Sequence, residues 1–282
     1  MKSYPSVPHV EDAPNALLDG GHLWVLEKVD GAHLRFQLRE SGHIRFGNRN
    51  REYTDPDDIP LSYRHAVRHV RERLDRHALR SAVENVERVV FFGEAMHRHG
   101  IEYDWERTPS FLGFEIWSAD PGEFLSPDAV DQVFDRIGLH PVNAVERELP
   151  TRDFNPGPDT VPQSAWYDGP AEGVVIRNKR GGRAQLPHPD RPDRENSTPP
   201  EMSASEYAET LTTGRRFERI ATRIAASGQA VTVERLYERV LEDVVREAHS
   251  QLFHGTADVD MAAFRDEIAT RTRRFLDEYT GP

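Results

Sequence analysis

Hydrophobic and polar residues follow two different periods, which divide the chain into a strand-rich part and a helix-rich part. Short apolar runs bounded by Gly, Asp or Ser predict strands at 23–27, 32–38, 43–46, 88–92, 111–117, 171–177 and 183–186. The two runs on either side of Asp30-Gly31 have the turn-punctuated pattern of an antiparallel sheet. An antiparallel sheet is therefore predicted at the centre of the first part.

Helical spacing interrupts these strands twice. Apolar residues repeat every three to four positions from Ser62 to Leu79, which predicts one Arg-rich amphipathic helix. A second helix is predicted between Ser126, as N-cap, and Gly138, with Pro127 in the first helical position.

Beyond residue 200 the helical period takes over. The proline-rich stretch 187–200 predicts a linker, and a capping box formed by Ser203 and Glu206 begins a helical pattern that Gly228 and Gly255 interrupt. The chain is therefore expected to have an α+β fold, with one domain at 1–195 and a small all-α domain at 196–282.

Composition narrows the class of protein. The chain has no cysteine, which excludes disulfides and thiolate metal sites, and no apolar run of 18 residues, so no membrane partner and a cytoplasmic location are expected. Its net charge is -12, and the acidic residues are spread along the chain as in a solvated surface. Abundant Arg, Asp and Glu with almost no Lys resemble salt-adapted proteins, such as those of haloarchaea or their viruses.

Lys28 is conspicuous because lysine is so rare in this chain. The only other lysines are Lys2 and Lys179, whereas the remaining 33 of the 36 basic residues are arginines. A neutral lysine amine is a nucleophile, although only about one in 2,500 is neutral at pH 7 when its pKa is unperturbed. The guanidinium of Arg stays protonated and cannot replace it. Lys28 is therefore either a nucleophile or one of three residual lysines at an exposed strand end.

Four short motifs occur along the first domain. They are Glu27-Lys28-Val29-Asp30-Gly31, Phe91-Phe92-Gly93-Glu94, Phe111-Leu112-Gly113-Phe114-Glu115-Ile116 and Ala171-Glu172-Gly173-Val174-Val175-Ile176-Arg177. Their order and spacing resemble the covalent nucleotidyltransferase superfamily, and within it the ATP-dependent RNA ligases of the class two type. The resemblance implies an antiparallel-sheet, ATP-grasp-like ligase domain, and the helical C-terminal part is similar to that class as well.

The resemblance also implies roles for individual residues. Lys28 would attack the α-phosphate of ATP and hold AMP, and Phe114 would stack on the adenine. Glu27 would lie beside the adenine, while Asp30 would face the ribose or the metal-water shell. Two further carboxylates, Glu94 and Glu172, would hold the divalent metal, Mg²⁺ or Mn²⁺. Without the family context, the alternatives are a core phenylalanine at Phe114 and a simple strand-end residue at Glu172.

Phosphate contacts are expected from two arginines and from a return strand. Arg49, and less directly Arg51, lie in an Asn-rich turn where the family carries a phosphate-contacting Arg. The family's fifth motif, typically Lys-x-Lys, is absent, and Gln185 stands where a lysine is expected. Lys179 or Arg183 then supplies the charge, or the site is impaired.

Two further patterns have competing interpretations. His97-x-His99 has metal-ligating residue types without a third ligand at a typical zinc spacing. The arginines of the 62–79 helix suit either nucleic acid or solvent, and the interspersed Glu72 and Asp75 favour solvent.

The sequence thus predicts an enzyme that uses ATP and Mg²⁺ or Mn²⁺ to seal RNA ends, with RNA as its partner. The alternative is a nucleotide- or RNA-end-binding protein on the same fold that has lost ligation with its motif-five lysine. DNA ligation or capping would require a β-barrel domain after residue 195, where no strand pattern occurs.

Overall fold

The computed structural model describes residues 1–157, 160–189, 202–253 and 259–279. The chain divides into two compact units. The first comprises Met1–Met96 and Ile101–Pro192, and the second comprises His97–Gly100 and Asp193–Pro282. A short segment from the middle of the sequence therefore belongs to the C-terminal unit.

Two sheets form the frame of the first unit. The strands are β1 (His22–Lys28), β2 (Ala32–Leu38), β3 (Ile44–Gly47), β4 (Glu52–Tyr53), β5 (Val89–Ala95), β6 (Phe111–Ser118), β7 (Glu123–Phe124), β8 (His140–Pro141), β9 (Ala144–Pro150), β10 (Gly173–Asn178) and β11 (Arg183–Pro187). The smaller sheet has the order β11-β10-β1-β9, and the larger has the order β4-β3-β2-β5-β6-β7. All pairings are antiparallel except that of β8 with β6.

The strands on either side of Asp30-Gly31 do not pair with each other, contrary to the sequence prediction. β1 pairs with β9 and β10, whereas β2 pairs with β3 and β5, so the chain crosses here from one sheet to the other. Gly31 permits the crossing, because a Cβ at this position would lie 2.9 Å from the carbonyl oxygen of Ala95. The predicted turn is present, but it connects a strand of one sheet to a strand of the other sheet, and these two strands are not paired.

The first unit contains the helices α1 (Asn15–Leu18), α2 (Leu61–Arg73), α3 (Arg76–Ala82) and α4 (Pro127–Arg136). Of these, α2, α3 and α4 pack against the larger sheet, whereas Leu17 of α1 packs against the smaller one. Phe36 of β2 stacks on Phe91 of β5 with ring centroids 4.7 Å apart, and Phe134 of α4 packs against Phe91. Burial of these rings and of apolar residues from α2 and α3 forms the main core.

The predicted helix from Ser62 to Leu79 is two helices. The break lies at Leu74, whose φ and ψ leave the helical region, and the side chain of Asp75 accepts a hydrogen bond from the backbone N–H of Ala78. Asp75 therefore caps the start of α3, a role for which aspartate is well suited. The second predicted helix, with Pro127 in its first turn, is confirmed.

The described residues of the longer segment of the second unit are mainly helical. The helices are α5 (Ala204–Leu211), α6 (Gly214–Ala226), α7 (Val233–Glu247), α8 (His249–Phe253) and α9 (Met261–Glu278). The predicted capping box of Ser203 and Glu206 is present, and Gly228 ends α6 with a φ of +75°. Residues 190–200 of the predicted linker and Gly255 lie outside the described residues.

Within the described ranges, none of the helices has the length and apolar character needed to cross a membrane.

The stacked phenylalanines generate a stability prediction. Phe134→Ala should lower the free energy of unfolding of the first unit by about 3–5 kcal/mol, because the ring is fully buried and the cavity would collapse only partly. All four tryptophans lie in the first unit, so denaturant unfolding followed by tryptophan fluorescence reports on that unit. Leu18→Ala, at an exposed position, is the control and should change stability by less than about 1 kcal/mol. Equal losses in both variants would contradict the assignment of Phe134 to the core.

Candidate active site

A cavity in the first unit lies where the two sheets meet. The smaller sheet contributes residues from β1, β10 and β11, and the larger contributes residues from β5 and β6. The lining residues are Tyr4, Val7, Leu26, Glu27, Lys28, Val29, Arg49, Glu94, Phe114, Val142, Val175, Arg177 and Gln185. Six of the nine predicted site residues are among them: Glu27, Lys28, Arg49, Glu94, Phe114 and Gln185.

Lys28 is held at the end of β1 by a carboxylate that immediately precedes the neighbouring strand β10. Its Nζ lies 2.6 Å from Oε2 of Glu172, whose side chain is only 5% exposed. Lys28 pairs in register with Gly173, which brings Glu172 beside it. A Cβ on Gly173 would lie 2.4 Å from the carbonyl oxygen of Leu186, so only glycine lets β10 approach β11 this closely. The geometry directs the amine along the cavity wall.

Glu94 adds a second carboxylate to this end of the cavity. Burial and the negative charges of Glu172 and Asp30 raise the pKa of Glu94 to about 8, although Lys28 and Arg49 oppose the rise. Glu94, Glu172 and Asp30 are thus close enough to influence one another electrostatically. Carboxylate oxygens are the ligands that Mg²⁺ and Mn²⁺ prefer, so the donor set fits a divalent cation.

Glu27 and Asp30 are both engaged by neighbouring chain segments. The carboxylate of Glu27 accepts hydrogen bonds from Ser164 Oγ at 2.5 Å, from the Ala165 N–H at 3.1 Å and from Asn143 Nδ2 at 3.2 Å. Burial raises the pKa of Glu27, and these hydrogen bonds oppose the rise. Glu27 therefore fixes a loop at the cavity wall.

Asp30 ties the crossing between the sheets to the segment that follows residue 100. Its Oδ2 accepts a hydrogen bond from the Ile101 N–H at 3.1 Å, and its own N–H donates to Tyr103 Oη at 2.7 Å. Asp30 is buried and is absent from the cavity lining. In the structure, Asp30 therefore holds the backbone that carries Lys28.

Phe114 presents a ring to the cavity from β6. Its ring centroid lies 5.1 Å from that of Tyr4 and 5.7 Å from that of His33. Burial, together with the positive charges of Arg49 and Arg35, lowers the pKa of His33 to about 3, so its imidazole is neutral. Phe114 and Tyr4 therefore form an aromatic wall of the cavity, and the neutral His33 packs beside Phe114 outside the lining.

The residues expected to contact phosphate are divided between two locations. Arg49 is exposed and lines the cavity, as predicted for a phosphate contact. Gln185 also lines it, but its Nε2 donates to the Val7 carbonyl at 2.9 Å. Lys179 lies beyond the end of β10 and forms ion pairs with Glu148 at 2.9 Å and Asp128 at 3.6 Å. Lys179 and Arg183 are absent from the lining, although Arg177 is part of it.

A buried charged group behind the cavity was missed by the sequence analysis. Glu115 of β6 forms ion pairs with Arg177 of β10 and, at 3.2 Å, with Arg183 of β11, and Tyr4 Oη donates to it at 3.3 Å. The sequence signal that could have revealed these ion pairs is a glutamate inside an apolar strand together with arginines on a hairpin. Arg183, proposed from sequence for the phosphates, is instead directed to Glu115.

A comparison of the sequence with protein-family models identifies the family of this chain. A family model described as RNA ligase matches residues 21–187, more than half of the chain, and these residues include every strand that lines the cavity. The chain belongs to the RNA ligase family.

Solved RNA ligases support the fold assignment. Two variants of Naegleria gruberi RNA ligase, both with ATP and Mn, align with TM-scores of 0.51 and 0.50 at 17% identity. Each alignment covers 67% of this chain and 56% of the other, so the chain corresponds to little more than half of those proteins. At this identity the likeness establishes the nucleotidyltransferase fold alone. No curated protein matches the chain by sequence.

The elevated pKa of Glu94 generates a prediction for this RNA ligase family member. Between the ordinary pKa of 4.5 and the folded value of about 8, the folded state retains a proton that the unfolded chain releases. The free energy of unfolding therefore falls as pH rises from 5 to 8. Glu94→Gln should lose less stability over this interval than wild type, by on the order of 3 kcal/mol.

The measurement is denaturant unfolding at both pH values in the presence of a chelator, followed by tryptophan fluorescence. Glu40→Gln, which changes an exposed glutamate of the same unit, should follow the wild type. If Glu94→Gln and wild type lose the same stability, Glu94 is ionised throughout the interval.

Proposed function

We propose that this protein is an ATP-dependent RNA ligase that joins a 5′-phosphate to a 3′-hydroxyl through a lysyl-AMP intermediate on Lys28. The observation that carries the proposal is the position of Lys28, a rare lysine whose amine lines the cavity 2.6 Å from the buried Glu172. A nucleophilic lysine must be oriented towards the atom that it attacks, and a neighbouring group must accept its proton.

In the first step, the neutral Nζ of Lys28 attacks the α-phosphorus of ATP. The new N–P bond forms as the bond to the bridging oxygen of the β-phosphate breaks, pyrophosphate leaves, and the amine gives up a proton. Glu172, already in contact with Nζ, is suitably placed to accept that proton or to orient the amine. Arg49 is suitably placed for the phosphate oxygens, since it is an exposed cation on the cavity wall.

The carboxylates Glu94 and Glu172 would hold Mg²⁺ or Mn²⁺. When bound, the cation supplies positive charge against the phosphate oxygens. Burial is the main cause of the raised pKa of Glu94, and the negative charges of Glu172 and Asp30 add to it; a cation would relieve that repulsion, which supports this assignment. The presence of ATP and Mn in the Naegleria RNA ligase variants also supports it.

The aromatic wall would receive the adenine. Phe114 offers a ring face at the cavity, and stacking on a base is worth about 1–3 kcal/mol. Glu27 lies at the same wall, where its carboxylate holds the loop at Ser164 and Ala165. Glu27 would thus hold the loop that borders the adenine pocket. Asp30 would hold the crossing between the two sheets close to the ribose.

RNA would react in the second and third steps. A 5′-phosphate oxygen attacks the phosphorus of lysyl-AMP, which releases Lys28 and forms an adenylated RNA end. The 3′-hydroxyl then attacks the RNA 5′-phosphorus, the new phosphodiester forms, and AMP leaves with the bond electrons. The same proposal assigns the protein to the class two subtype and to RNA repair. It also includes a cytoplasmic location and adaptation to high salt.

The second candidate is a protein that binds nucleotide or RNA ends with ligation impaired or lost. It is favoured by the β10–β11 hairpin, where Gln185 replaces the family's lysine and Lys179 is paired with Glu148 and Asp128. Self-adenylation without sealing of nicked RNA would identify this alternative.

Labelling with radioactive ATP tests the nucleophile. Wild type should become covalently labelled from α-labelled ATP with Mg²⁺ and remain unlabelled with γ-labelled ATP, because only AMP is retained. Lys28→Arg should reduce the label at least about 100-fold, since arginine keeps the charge and has no nucleophilic lone pair. Denaturing electrophoresis provides the measurement.

Lys2→Arg and Lys179→Arg are matched controls, because they change the only other lysines in the same way. Both should label like wild type. Undiminished labelling of Lys28→Arg would remove Lys28 as the nucleophile, and a loss in all three variants would indicate an effect on folding.

The hairpin generates a separate prediction about charge. Lys179→Ala should leave the rate of self-adenylation within about threefold of wild type, because Lys179 is paired with Glu148 and Asp128 at the surface, where solvent screens ion pairs, and lies outside the cavity lining. Gln185→Lys should raise the rate of self-adenylation or of sealing, since it adds a cation to the cavity wall.

Both rates should be measured with α-labelled ATP and with a nicked RNA duplex. Loss of activity in Lys179→Ala would show that Lys179 leaves its surface partners to serve the phosphates. If neither substitution changes either rate, the hairpin does not supply the fifth motif.

A further inference from the structure

Three histidines from two distant parts of the sequence meet inside the second unit. His97 and His99 belong to the short segment His97–Gly100, and His249 begins α8. The ring centroids are 4.0 Å apart for His97 and His249, 4.6 Å for His97 and His99, and 4.9 Å for His99 and His249. The third ligand that the His-x-His pattern lacked is therefore supplied about 150 residues later.

We propose that His97, His99 and His249 form a binding site for a divalent transition metal, with Zn²⁺ as the expected ion. Each histidine offers one ring nitrogen such that all three nitrogens lie within 4.8 Å of one another. Nitrogens bound to one tetrahedral zinc ion at about 2.1 Å are about 3.4 Å apart. Small side-chain rotations, moving each nitrogen by about 1 Å, therefore bring the set to the bonding distance.

The backbone holds the two segments together independently of any ion. The Arg98 N–H donates to the Arg246 carbonyl at 2.9 Å, and the Ser250 N–H donates to the Arg98 carbonyl at 3.1 Å. Arg98 lies between two of the histidines, and residues 246 and 250 flank the third. The ligands are thus preorganised, which reduces the ordering that metal binding requires.

Burial and donor chemistry both favour a metal over a solvent-exposed cluster. His97 is fully buried and His249 is 6% exposed, whereas His99 is partly accessible. Three imidazoles without a carboxylate suit zinc and its neighbours, in contrast to Mg²⁺ or Ca²⁺, which prefer oxygen. A water on the more accessible side of His99 would complete a four-coordinate site.

This site differs in chemistry from the carboxylates of the first unit. Glu94 and Glu172 fit a hard cation, and the three histidines fit a borderline-soft one. A zinc ion here would bind the His97–Gly100 segment to α8 and stabilise the second unit. The inference does not depend on the proposed ligase activity.

Metal content of untagged full-length protein tests the site. After removal of metal with a chelator and dialysis against Zn²⁺ with excess Mg²⁺, wild type should retain about one zinc per chain by mass spectrometry. His99→Gln and His249→Ala should each retain less than about a tenth as much. His77→Ala, which removes an exposed histidine of the first unit, should retain the wild-type amount.

Two measurements on wild type make the test independent of how the variants fold. X-ray absorption at the zinc edge should show three imidazole nitrogens, and zinc should raise the melting temperature of the second unit in the chelator-treated protein by roughly 10 °C at a metal concentration 100 times Kd. A stoichiometry far below one, a coordination shell without imidazole, or full zinc retention by His249→Ala would overturn the proposal.

Discussion

The buried carboxylate of Glu115 joins the two sheets on which the first unit depends. It is fully buried on the larger sheet and meets Arg177 and Arg183 from the hairpin of the smaller one. Burial raises the pKa of Glu115, and the two guanidinium groups and Tyr4 oppose the rise. Removing one partner of such a group costs about 3–5 kcal/mol, because a charge is left uncompensated. The two sheets are thus joined by directional ion pairs as well as by apolar packing.

The cavity is a consequence of that junction. Lys28 and Glu172 come from the smaller sheet, whereas Glu94 and Phe114 come from the larger one. Neither sheet alone contains a nucleophile, an aromatic wall and a set of carboxylates. The same hairpin that anchors Glu115 also carries Gln185 to the cavity wall, which connects the structural ion pairs to the position where the family's lysine is missing.

Local sequence signals predicted the strands and the capped helices, because alternation and caps are short-range properties, and the motifs of the resemblance named six of the residues that line the cavity. They did not predict which strands pair, so Asp30-Gly31 was interpreted as a turn within one sheet. Lys179 was considered for the phosphates, but it follows the last residue of β10 and pairs with Glu148. Glu115 and His249 could not be assigned, because their partners are more than 60 and 140 residues distant in the chain.

Because β1 lies between two other strands of the smaller sheet, the backbone of Lys28 is less free to move than its side chain. β10 pairs with this strand along its whole length, and β9 and Asn143 bind its other edge as far as Glu27. Backbone amides bonded on both sides exchange with solvent only when a large part of the unit opens. The Lys28 side chain, by contrast, is about one quarter exposed and is held through its ion pair with Glu172, so it changes rotamer when that ion pair opens. Any group carried on Nζ would therefore swing on four methylenes while the strand beneath it stays still.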